Sequence, residues 1–200
     1  MSEMSEMETT VPKSGRFELK AAHPLDQFYA RAGLPLPPLT QIDGEAVPEP
    51  YKGLLVHRND MTPTLENYHR QQIHLQVLGR ERKGEQYFRE VVLLLDGSGL
   101  PVEFGAIKIY LDLLAPMVRE EILAEQRPLG HILAAHRVPH RSQPSAFLRL
   151  ASDPLINQAL KLSGAQLLFG RHNDLLDGQD RVLAEIVEIL PPIGGKEGKR

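Results

Sequence analysis

The 200-residue chain contains no cysteine, which excludes disulfides, thiolate metal sites and cysteine nucleophiles together. It also lacks any apolar run of the ~20 residues that a membrane-spanning helix needs. Its N-terminus, MSEMSEMETT, is acidic where a signal peptide would be basic and then apolar. Basic excess is missing too: 23 Lys and Arg against 26 Asp and Glu give a net charge of −3, whereas a nucleic-acid-binding domain normally carries a basic face. There is no G-x-S-x-G elbow, no HExxH string and no glycine-rich phosphate loop. These absences lead by elimination to a cytoplasmic protein without nucleic-acid or membrane partners. What is present, 42% hydrophobic and 24% charged residues, suits one domain with a real core.

Residues 1–15 lack apolar periodicity and read as a disordered leader, and residues 194–200 as a polar tail. Between them, residues 16–53 hold one short helix (PLDQFYARAG) and a proline-rich stretch, LPLPPLTQIDGEAVPEPYKG, expected as an extended connector over the surface. The remaining residues, 54–193, form the expected folded domain. Thr62 and Thr64 are candidate N-caps for a short helix through Tyr68, and QIHLQVLGRER alternates as a strand. Next, EQYFREVVLLLDGSGLPVEFGAIKIYL has two apolar arms around Asp96-Gly97-Ser98-Gly99, a β-hairpin buried on both faces. Helices are expected over 115–126, 131–135 and 153–162, a strand over 145–151, and a second hairpin turning at Asp177-Gly178. Hairpins with helices in the connections predict an α+β fold, a single antiparallel sheet with helices packed on it.

His131, His136 and His140 invite a metal reading, but Pro139 interrupts any helix that would put the last two on one face. Loop histidines are the preferred reading, and no metal or cofactor is called for. The stronger signal is charge embedded in apolar strands: Arg89, Glu103, Arg171, Glu185 and Glu188. A ladder of cross-strand ion pairs would explain any one pair. For the group, a buried guanidinium suits bidentate recognition of a carboxylate, and an opposing carboxylate with a raised pKa could move a proton. Arg89 and Glu90 are adjacent and take opposite faces of their strand. Arg89 is therefore expected to look into a cavity and Glu90 to be structural, while Glu103 is open between a pocket role and an ion pair with Lys108.

YFREVVLL before a glycine turn, RPLGHIL, the closing FGRHN…EIVEILPP and Asp60-Met61-Thr62 resemble the chorismate pyruvate-lyase family, and the broader chorismate lyase-like branch more than the ubiquinone-pathway enzymes. The resemblance covers most of residues 54–192. It implies a carbon–oxygen lyase that makes 4-hydroxybenzoate and pyruvate from chorismate without a cofactor, in a pocket enclosed under helical flaps. It further implies that Arg89 binds the ring carboxylate, helped by the backbone at Met61, Leu129 and Gly130, with a strand glutamate at the far end of the ring. Glu188 is preferred for that role because Pro191 and Pro192 follow it. Glu185 is the other candidate, and the two should face opposite sides of the strand. Arg171 is expected to neutralise the side-chain carboxylate. The alternative is a non-catalytic binding module for a small aromatic acid on the same fold, like the effector domains of some bacterial regulators. The residues before Leu54 look too few for a helix-turn-helix, which weighs against the regulator version.

Overall fold

Leu95 and Leu100 close the first hairpin across Asp96-Gly97-Ser98-Gly99, where Gly97 and Gly99 take positive φ (83° and 62°) that a side chain would oppose. This turn organises the computed structural model, which describes residues 20–193. The leader at 1–15 and the tail at 194–200 lie outside the described residues. In chain order the elements are α1 (Leu25–Ala32), β1 (Leu39–Ile42), α2 (Tyr51–Leu55), α3 (Met61–His69), β2 (Ile73–Lys83), β3 (Gln86–Leu95), β4 (Pro101–Tyr110), α4 (Pro116–Leu123), α5 (Leu129–Ala135), β5 (Arg141–Ala151), α6 (Pro154–Leu160), β6 (Leu167–Leu176) and β7 (Val182–Leu190). The seven strands form one antiparallel sheet in the order β1-β5-β6-β7-β4-β3-β2. The fold is therefore α+β, as the hairpins predict.

Helices cover both faces of the sheet, so its central strands read as nearly unbroken apolar runs. On one face, α1 and α6 pack Leu25, Phe28 and Ile156 against Phe88, Val92, Phe104 and Val187. The other face carries two separate apolar clusters. One joins α4 and α5 to Tyr87, Ile109, Leu175 and Ala184, and the second joins α2 and α3 to Leu93, Leu95, Phe169 and Leu190. A gap lies between them.

The proline-rich segment is more than a connector. Leu39–Ile42 pairs with Phe147–Leu150 as an edge strand, and Tyr51, Leu54 and Leu55 of α2 are core residues. Four residues between prolines carry too little pattern to read as a strand, and an edge position tolerates the prolines around it. The cap of α3 is Asp60, not Thr62 or Thr64; Thr62 is buried, and the Thr64 hydroxyl donates to the Asp60 carbonyl. Between β6 and β7 the backbones approach so closely at Gly170 that an added Cβ would collide with the Glu188 carbonyl.

Candidate functional site

Antiparallel register places the charged residues. Arg89 faces Ile107, which faces Ile186, which faces Asn173, so these four form one row across β3, β4, β7 and β6. One row further, Val91, Gly105, Glu188 and Arg171 align, and beyond that Leu93 faces Glu103. Partners across a sheet share a face, so all of these lie on the face with the gap. All of them except Arg171 floor a cavity. Its roof is the start of α3, at Asp60, Met61 and Thr62, and the start of α5, at Pro128, Leu129 and Gly130. The two roof segments meet where Gly130 lies against Thr62.

Arg89 is 2% exposed, lines the cavity, and among the described residues has no hydrogen-bond partner for Nε or Nη1. Burial pushes its guanidinium down to about 10, with Tyr87 and Glu125 opposing, so it remains charged at neutral pH. A buried cation with unused donors is costly, and a carboxylate is the group its planar fork matches.

The carboxylates behave differently from one another. Glu188 is buried and ion-paired with the Nε of Arg171. Glu103 is buried too, with Oε2 unpartnered among the described residues. Its carboxyl is pushed well above the usual range, first by burial and then by the negative charge of Glu188, with Arg171 opposing. Lys108 is not its partner, because that ammonium lies on the opposite face against Glu185 at 3.1 Å.

Two candidates are corrected by this geometry. Glu185 is absent from the cavity: Lys108, the Tyr110 hydroxyl at 2.5 Å and His23 hold it on the other side of the sheet. The three-residue spacing from Glu188 enforces that. Arg171 does not present itself to a ligand either. It is fully buried, and beyond Glu188 it donates to the carbonyls of His57 (3.1 Å), Asn59 (3.1 Å) and Leu55 (3.4 Å), in the segment that leads into the roof. The structure thus brings Arg89, Glu188, Met61, Leu129 and Gly130 to one cavity and leaves Glu185 and Arg171 outside its lining.

The residue reading missed the roof's anchor. The Asp60 carboxylate accepts from Ser142 Oγ at 2.9 Å and pairs with His140 Nε2 at 2.8 Å, while Asn173 Nδ2 donates to Ser142 Oγ at 3.3 Å. Burial would raise the Asp60 carboxyl, yet His140, Ser142 and the charge of Arg171 hold it below its ordinary value. The hydrogen bond to Asp60 raises His140 in turn, over the opposing effect of burial. His131 and His136 pair separately, with Glu66 and Glu121.

The raised Glu103 carboxyl has a measurable consequence. A carboxyl whose pKa is higher folded than unfolded binds more protons in the folded state between the two values, so stability falls as pH rises through that window. Glu103→Gln removes this penalty. The variant should match the wild-type melting temperature near pH 4 and exceed it by several °C at neutral pH, on the order of 2 kcal/mol. A melting-temperature difference that is flat with pH would show that Glu103 ionises normally.

The sequence matches no protein-family model and no curated protein. Solved structures match by fold. PhnF from Mycobacterium smegmatis superimposes with a TM-score of 0.53 at 12% identity, over 68% of this chain and 65% of that one, so this chain spans just under two thirds of PhnF. The effector domain of PhnF gives 0.50 at 12% identity, over 66% of this chain and 87% of that one. The ligand-binding domain of a protein from Bordetella bronchiseptica, named as a GntR-family transcriptional regulator, gives 0.47 at 15%, over 60% and 85%. At such identities the likeness is one of fold, and the fold is chorismate lyase-like. Neither PhnF structure is named for a lyase and the second is named an effector domain, which corrects the expected carbon–oxygen lyase. The site supplies a physical reason, since Glu188 is neutralised by Arg171 and Glu185 is on the wrong face.

Proposed function

We propose that this chain is a non-catalytic binding module for a small aromatic acid. The carrying observation is the buried guanidinium of Arg89, whose Nε and Nη1 are unpaired among the described residues at the wall of the cavity. The ligand carboxylate engages one edge of the guanidinium, pairing Nε or Nη1 with the adjacent Nη2. Its ring lies on Val91, Leu93, Ile107 and Ile186, under the first turns of α3 and α5. The backbone at Met61, Leu129 and Gly130 shapes the roof over it. The shared fold with the effector domain of PhnF supports this reading at the level of architecture.

Calorimetry and thermal melting with benzoate, 4-hydroxybenzoate and chorismate, each against its neutral amide, test the proposal. The acids should bind, and at 100-fold excess over Kd should stabilise the protein by about 2.7 kcal/mol, whereas the amides should not. Chorismate should be recovered unchanged. Equal behaviour of acids and amides sinks the acid-binding reading, and release of pyruvate sinks the non-catalytic one.

A further inference from the structure

Arg89 supplies the cavity's unfilled donors, and the unfilled groups elsewhere in it are oxygens. Asn173 Nδ2 must be the atom facing Ser142 Oγ, because the Ser142 hydroxyl gives its own proton to Asp60. That leaves Asn173 Oδ1 buried and unpartnered. Glu103 Oε2 is likewise buried and unpartnered, on a residue 4% exposed that lines the cavity. Glu103 and Glu188 occupy neighbouring rows of β4 and β7 and share one counter-ion, Arg171, whose Nε is committed to Glu188. Two buried carboxylates with one guanidinium between them leave room for one more positive charge.

Resting on the binding reading above, we propose that the ligand is amphoteric, with a carboxylate for Arg89 at one end and a protonated amine for Glu103 at the other. The two ends are well separated. Arg89 faces Ile107 and Glu103 faces Leu93, four residues along the paired strands, or about 13 Å. Both long side chains reach into the intervening space, and one ring with two short polar arms bridges what remains. The chemical balance is simple. Glu103 enters the reaction with its proton, the ligand ammonium takes the proton's place as the positive partner, and that proton leaves to water. A hydroxyl in the ammonium's position requires no such release.

The test uses the whole chain and a matched pair, 4-(aminomethyl)benzoate and 4-(hydroxymethyl)benzoate, by calorimetry at about pH 6 in two buffers of different ionisation enthalpy. The amine should bind at least about tenfold more tightly than the alcohol, as a buried charged hydrogen bond replaces a neutral one. It should also release a substantial fraction of one proton, against none for the alcohol. In Glu103→Gln the preference should collapse to about twofold or less and the proton release should vanish. Equal affinities in the wild type, equal proton counts, or a preference that survives Glu103→Gln overturns the amphoteric ligand while leaving the acid-binding module standing. If neither compound binds, or if Arg89→Met leaves both affinities intact, the binding reading falls and takes this inference with it.

Discussion

Arg89→Met should abolish the binding of small aromatic acids, lowering affinity at least about 100-fold, and at the same time raise the melting temperature of the free protein. The first effect follows from removing a buried donor fork that pairs with a carboxylate, a loss typically of several kcal/mol. The second follows from the free state. The guanidinium is 2% exposed, has two donors without partners, and is pushed down by burial. Methionine occupies much of the same space without desolvating a charge. Loss of binding together with a gain in stability is the pattern expected of a residue kept for its ligand. A structural arginine would behave oppositely, so a variant that melts earlier and still binds acids would place the carboxylate elsewhere. Titration calorimetry and thermal melting on one preparation read both quantities.

The second large effect is expected at Arg171. Arg171→Ala leaves Glu188 buried without its cation, beside Glu103, and removes donors from three carbonyls between Leu55 and Asn59. Breaking one side of a buried ion pair costs about 3–5 kcal/mol, near 10 °C in melting temperature for a chain of this size. Adding Glu188→Gln should recover part of that loss, because the stranded charge goes, but not the part owed to the 55–59 segment. Thermal melting of the two single variants and the double variant resolves the shares. A loss of under about 1 kcal/mol in Arg171→Ala would mean that water reaches Glu188 and replaces the guanidinium.

Local pattern made much of the fold legible in the sequence. Apolar arms around Asp96-Gly97-Ser98-Gly99 and around Asp177-Gly178 specify the two hairpins, and period-two alternation puts Arg89 and Glu90, or Glu185 and Glu188, on opposite faces. The rest depends on partners remote in sequence. Arg171 is occupied by a segment more than 110 residues away, and Asp60 meets Ser142 82 residues on. Neither contact leaves a local trace. Glu103 could be read as a pocket residue or as a partner of Lys108, and only the register decided it, because Lys108 stands five residues further and on the other face. The lyase expectation failed for a different reason. Short motifs in order carried the fold, whereas activity depends on whether a carboxylate is free to act, and here the candidate base is neutralised.

Gly170 draws these charges together without touching a ligand. It sits immediately before Arg171, where β6 comes closest to the Glu188 carbonyl, and any side chain there would wedge the two strands apart. The separation of β6 from β7 sets how far the Arg171 guanidinium stands from the Glu188 carboxylate, and so how much negative charge Glu103 meets. An uncharged position with no side chain thereby adjusts the proton affinity of a carboxyl two strands away, and widening that seam would change the chemistry of the cavity before it changed its shape.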